Sequence, residues 1–282
     1  MRQIAGLGEI AGHYQGFIVD LWGVVHDGIR PYPAALDCLA RLAGKQVLLL
    51  SNAPRRAASA QAMLRRMGVE DGLYTHILTS GEATWMALRD RTDPWFARLG
   101  QRVYHLGPAR DRNLLEGLDL ALSATPDAAD FVLNTGPDDD VHDPRALETF
   151  VAELQACRAA GLPMICANPD LEVMRGGVRI LCAGALAAHY RMLGGDVACI
   201  GKPDPAIYRQ ALEMLGGAAA PVLAIGDSLR TDIAGAAGAG LDSVWVLGGI
   251  HAEAVGAGGA QAREAALQAG LAPAAAIPAL RW

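Results

Sequence analysis

Four side chains stand where chemistry could converge. Asp20 closes the apolar run FIVD, Ser51 closes QVLLLS, Asp227 closes PVLAIGD, and Lys202 follows a glycine just before a proline. Ligands of open α/β sheets bind beyond the carboxyl ends of strands, so polar residues that terminate several apolar strands are candidates for one shared site. Two carboxylates can hold a hard divalent cation such as Mg²⁺, and an ammonium with backbone N–H groups can neutralise phosphoryl oxygens. With a hydroxyl added, the set suits a metal ion and a phosphate. Each member also has a plain structural use: Asp20 or Asp227 alone can cap a helix or turn, Ser51 alone is more often an N-cap than a catalyst, and a single lysine is usually a solvated surface charge. It is the combination that points to chemistry.

The segments that must position these residues alternate in type. Apolar runs predict strands at Phe17–Asp20, Gln46–Ser51, Ile77–Thr79, Arg102–Leu106, Phe131–Asn134, Pro163–Ala167, Pro221–Asp227 and Ser243–Leu247. Helical patterns fall between them, at Ala34–Ala43, from SNAPR through Arg66, at Asp204–Leu215, near Thr231–Ala239 and near Ala260–Ala269. Strands alternating with helices imply an α/β protein with parallel sheets covered on both faces, a Rossmann-like, doubly wound core. The simplest arrangement joins residues 1–81 and 185–282 in one sheet domain, with a second α/β unit inserted at residues 82–184.

Composition narrows the possible partners. The 282 residues are 52% hydrophobic and 19% charged, which excludes disorder of the low-hydrophobicity kind. With 24 basic against 30 acidic residues the net charge is −6, and no basic cluster could track a nucleic-acid backbone. No uncharged apolar run approaches the roughly 20 residues of a membrane span, and the start MRQIAGLGEIAGHYQ lacks a signal-peptide pattern, so a soluble cytoplasmic protein is expected. Five widely spaced cysteines suit buried free thiols, and with no CxxC a structural zinc site has no support.

Taken in order, the motifs resemble those of the haloacid dehalogenase superfamily, and within it the NagD-like sugar-phosphatase branch with a large inserted cap. DLWGVVHDG (Asp20 to Gly28) is similar to the nucleophile motif, LLLSN (Leu48 to Asn52) to the hydroxyl motif, GKPDP (Gly201 to Pro205) to the lysine motif, and IGDSLRTDIAGAAGAGL (Ile225 to Leu241) to the acidic metal motif. ICANPD (Ile165 to Asp170) and CAGAL (Cys182 to Leu186) resemble the branch's cap and its return to the core. The resemblance implies a Mg²⁺-dependent phosphatase of a small phosphorylated metabolite such as a sugar phosphate. Asp20 would attack phosphorus to form an aspartyl-phosphate that water then hydrolyses. Asp20, Asp227 and the backbone carbonyl of Trp22 would hold the metal, with Asp232 in support. Ser51 and the N–H of Asn52 would bind phosphoryl oxygens, and Lys202 would hold nucleophile and phosphate together. Asn168 and Asp170 of the cap would face the substrate, although Asn-Pro-Asp is equally strong turn chemistry. A homodimer formed through the cap is compatible with the branch, but no sequence feature decides it.

One departure matters. The family's phosphatases usually carry a second Asp two positions after the nucleophile, as general acid and base, and that position is Trp22 here. Losing such a group typically costs about 10²–10⁴ in rate, so slow turnover or a preference for good leaving groups is expected. His26 or Asp27 could stand in, but packing for His26 and turn formation for Asp27 are the favoured readings. Two other functions stay open: a metal-independent dehalogenase, against which Asp227 and Asp232 argue, and a catalytically weak phosphometabolite-binding protein. GLGEIA (Gly6 to Ala11) fits a dinucleotide fingerprint only in spacing, since it precedes the first predicted strand, and Asp196 occupies the glycine position a P-loop would need before Lys202.

Overall fold

The structure, a computed structural model, describes residues 1–137, 147–175, 178–217, 220–249 and 259–282. The most apolar runs become strands buried on both faces: Gly16–Asp20, Gln46–Ser51 and Val222–Gly226 are covered along nearly their whole length. Alternate side chains serve opposite layers, as a strand's period of two requires. Phe17, Val19 and Leu49 pack into one layer with Ala35 and Leu39 of helix Pro33–Arg41 and Leu64 of helix Ala57–Arg66. Ile18, Leu48 and Leu50 pack on the other side with Ile207, Tyr208 and Ala211 of helix Pro205–Met214.

These strands belong to a seven-stranded parallel sheet in the order Arg2–Gln3, Ala275–Ile277, Asp242–Val246, Val222–Gly226, Gly16–Asp20, Gln46–Ser51, His76–Thr79. The chain runs outward from Gly16–Asp20 to one side and later returns to its other side at Val222–Gly226. The strand order therefore reverses beside Asp20, and the crevice that ligands occupy in such sheets opens there.

A second, five-stranded parallel sheet has the order Val197–Cys199, Met164–Cys166, Phe131–Asn134, Arg102–Leu106, Ala121–Ser123. An antiparallel hairpin, Glu172–Arg175 with Val178–Leu181, follows its Met164–Cys166 strand. The expected end of the inserted unit at residue 184 falls short. Helix Ala183–Met192 packs into the core of the second sheet through Leu186, Ala187 and Tyr190, and Val197–Cys199 forms that sheet's edge. A three-residue, half-exposed edge strand carries too little apolar signal to be read from sequence.

One local feature also differs from expectation. The helix expected near Thr231 opens as a wide π turn, Leu229–Ile233, before the α-helical Ala234–Gly238. Gly6 and Gly8 open no dinucleotide helix: they lie against the C-terminal Trp282, whose carbonyl oxygen would sit 2.3 Å from a Cβ at Gly6. No helix among the described residues is long and apolar enough to cross a membrane.

Candidate active site

Asp20 and Ser51 end adjacent strands, and Asp227 follows the strand on Asp20's other side, so strand pairing alone brings the three together. Lys202 arrives from the second sheet, three residues after Val197–Cys199. All four are buried and line a cavity of about 920 Å³ between the two sheets. Lys202 Nζ lies 2.6 Å from Asp20 Oδ1 and 2.7 Å from Asp232 Oδ1. The π turn makes this possible, because it brings Asp232 back against the strand end, where its Oδ2 accepts the Ser228 N–H at 3.0 Å.

Asp20, Asp227 and Asp232 each offer an oxygen within 4.8 Å of the others, a cluster of hard donors suited to Mg²⁺ or Ca²⁺. Asp232 has both oxygens engaged, by Lys202 and Ser228, which fits a supporting rather than a ligating place. Asp227 is closely cradled by glycines: a Cβ at Gly23 would lie 2.1 Å, and one at Gly249 1.9 Å, from its Oδ2. Its backbone oxygen accepts the buried Trp245 indole N–H at 2.8 Å. The donors present thus fit a divalent cation.

The charges explain one another. Burial pushes the Asp20 carboxyl up to about 7, a rise that Lys202 opposes and that Asp232 and Asp170 reinforce. Burial works against the Lys202 ammonium, yet Asp20 and Asp232 outweigh it and hold the lysine well above its ordinary range. Where Asp20, Asp227 and Asp232 cluster, carboxylates outnumber the one ammonium bound to them, a local excess of acid that a divalent cation would offset.

Asn52 ties the sheets together. Its Oδ1 accepts the Lys202 N–H at 2.8 Å and the Ser80 hydroxyl at 3.1 Å, and its Nδ2 donates to the Lys202 carbonyl and to Asp170 Oδ1, each at 3.0 Å. Asp170 therefore does reach the cavity. Asn168 lines it too, but its side-chain oxygen accepts the Asp170 N–H at 3.0 Å, which is the turn use of Asn-Pro-Asp. Ser51 accepts the Ala53 N–H at 3.2 Å.

Trp22 lines the cavity beside Asp20 and Gly23, and its ring meets His26 edge-on, with centroids 5.1 Å apart. His26 is fully buried, its Nδ1 accepts the Gly28 N–H at 3.0 Å, and burial lowers it to about 4. Asp27 accepts the N–H groups of Ile29 and Arg30 at 2.8 and 2.7 Å, and the Arg30 bond leads in holding it below the usual carboxylate range. Both residues thus have the packing and turn uses favoured for them. Sequence reasoning passed over Ser80, Gly249, Trp245 and Arg230. Ser80 and Gly249 stand just beyond strand ends, the same signal that singled out Asp20, whereas Trp245 and Arg230 announce nothing until the chain folds.

Comparison with known proteins gives the family. The family model for haloacid dehalogenase-like hydrolases matches residues 17–121, and a second, HAD-hydrolase-like model matches residues 199–274. Chronophin of Rattus norvegicus is 30% identical over 263 residues, 87% of this chain and 80% of that protein. The chain belongs to the haloacid dehalogenase-like hydrolase family. A solved family hydrolase from Brucella suis 1330 is 35% identical, superposes with a TM-score of 0.84 and matches 98% of this chain and 99% of its own. The glycerol phosphate phosphatase of Mycobacterium tuberculosis, solved in complex with magnesium, is 26% identical with a TM-score of 0.66, over 89% of this chain and 74% of that one. The match to family hydrolases over nearly the whole chain makes this cavity the place where hydrolysis is to be sought.

Proposed function

We propose that the protein is a phosphatase that hydrolyses a small phosphomonoester, a sugar phosphate or similar metabolite, through an aspartyl-phosphate on Asp20. The observation that carries this reading is Lys202, whose buried ammonium lies 2.6 Å from the nucleophile and 2.7 Å from Asp232, the two carboxylates that cluster with Asp227. An ammonium so placed keeps one Asp20 oxygen oriented and offers charge to an incoming phosphoryl group. Ser51 and the N–H of Asn52, at the adjacent strand end, would receive phosphoryl oxygens. Asp20, Asp227 and the Trp22 carbonyl would hold Mg²⁺, which when bound would offset the charge of the phosphoryl oxygens. We read the second sheet, through Cys199, as the cap that closes over the substrate and supplies Asn168 and Asp170.

The test is phosphate release from a broad panel of phosphoesters, with Mg²⁺ and with EDTA, comparing wild type with Asp20→Asn. Metal-dependent release lost in the variant is the expected result. Tight binding of phosphorylated metabolites without release, even from activated esters, would instead favour the binding-protein reading. The dehalogenase alternative is weakened by the acidic cluster, since attack on carbon needs no metal.

A further inference from the structure

A phosphatase with Trp22 two positions after its nucleophile must find the leaving-group proton elsewhere, and the described residues around the cavity leave few sources. His26 is walled off, with one nitrogen on Gly28 and the ring against Trp22. Asp27 is committed to two backbone N–H groups, Glu172 is paired with Arg179, and Asp111 lies 3.6 Å from Arg55 and 3.8 Å from Arg110. Asp232 is held on both oxygens. The Tyr32 phenol is raised by burial and is a weak acid.

Asp170 differs from all of these. Its backbone is fixed, with the N–H on Asn168 Oδ1 and the carbonyl accepting the Gly184 N–H, both at 3.0 Å. Packing leaves no slack here, since a Cβ at Gly184 would lie 2.5 Å from the Asp170 carbonyl oxygen. Its Oδ1 is anchored by Asn52 at 3.0 Å, with Arg230 at 3.9 Å, and its Oδ2 makes no hydrogen bond among the described residues. Asp20 lines the cavity from the end of a core-sheet strand and Asp170 from the loop that follows Met164–Cys166 of the second sheet, so the two carboxyl groups enter one cavity from different sheets, as in-line displacement would ask of nucleophile and leaving-group acid.

Resting on the phosphatase reading, we propose that Asp170 is the proton donor to the leaving oxygen. As the bond from Asp20 to phosphorus forms, the phosphorus–ester bond breaks, and its electron pair stays on the ester oxygen. That oxygen takes the Asp170 proton and departs as an alcohol. In the second step the Asp170 carboxylate takes a proton from the attacking water as Asp20 leaves phosphorus, which restores both groups. The charges facing Asp170 are Lys202, Asp232, Arg230 and Asp20, and burial prevails among them, holding its carboxyl above the usual range and so closer to a working acid.

The experiment compares wild type, Asp170→Asn and Asp170→Glu on p-nitrophenyl phosphate, whose leaving group needs no proton, and on a panel of alkyl phosphates, whose leaving groups do. Asp170→Asn should lower kcat/KM on alkyl esters by about 10²–10⁴-fold and on the aryl ester by less than about tenfold, and should abolish the alkaline limb of the alkyl pH profile. Partial rescue of alkyl turnover by Asp170→Glu is expected. Equal losses on both ester classes, or no loss on either, overturn the proposal. So does wild-type turnover of the aryl ester alone, which leaves the phosphatase reading standing. Absence of any turnover by wild type removes both.

Discussion

Asp20→Asn should make the metal-free protein more stable above neutral pH, because the nucleophile is held at a cost. The folded carboxyl keeps its proton up to about 7, against 3.8 for an aspartate free of its surroundings, and burial is the chief cause. Between those values the folded state binds more protons than the unfolded one, so stability falls as pH rises through the window, by about 1.4 kcal/mol per unit. Over roughly three units the charged carboxylate costs about 4 kcal/mol, with the attraction of Lys202 already included. Asn keeps the shape and carries no charge. In EDTA at pH 8 the variant should therefore exceed wild type by about 4 kcal/mol in urea unfolding, or by about 10 °C in Tm, and at pH 4 the difference should vanish. Adding Mg²⁺ should raise the wild type and close the gap, since a ligand bound only by the folded state stabilises it. A variant no more stable than wild type at pH 8, or equally favoured at pH 4, would refute the reasoning.

Lys202→Met should leave Asp20 and Asp232 facing each other unpaired, costing about 3–5 kcal/mol in chemical unfolding at pH 8 and at least about 10²-fold in phosphate release. His26 is held near 4 by burial, so the folded state binds fewer protons between 6.5 and 4 and wild-type stability falls as pH drops through that window. His26→Gln should remove about 3 kcal/mol of that fall, read from unfolding at pH 7 and pH 4, while leaving the pH–rate profile unchanged. Gly249→Ala would place a Cβ 1.9 Å from Asp227 Oδ2. It should lower the melting of the EDTA-treated protein by several degrees through overpacking, and should abolish the further stabilisation that Mg²⁺ gives the wild type in thermal unfolding.

The parts of the fold set by local patterning are legible in the order of residues along the chain. Runs such as QVLLLS and FVLN are both short and apolar throughout, and they form strands at the very residues expected, Gln46–Ser51 and Phe131–Asn134. Asp20, Ser51, Asp227 and Lys202 are legible as a set because parallel strands place their carboxyl ends on one edge of the sheet. The folded chain does bring these four to a single cavity. The strand Val197–Cys199 is not legible, since an edge strand of three half-buried residues is defined by its pairing with Met164–Cys166 rather than by its own pattern.

Tertiary structure alone decided the rest of the site. That Asp232 turns back to Lys202 depends on a π turn no residue pattern announces, and that Asn168 spends its oxygen on Asp170 while Asn52 holds Asp170 depends on two sheets meeting. The surroundings of His26, a buried ring against Trp22 and a backbone N–H on its Nδ1, likewise come only with the fold. The sequence determined the residue types and the strand ends that carry them, because periodicity and turn chemistry act over a few neighbours. Burial, pairing and protonation come from groups far apart in the chain, Asp20 with Lys202 and Asn52 with Asp170, so only the folded molecule could assign them.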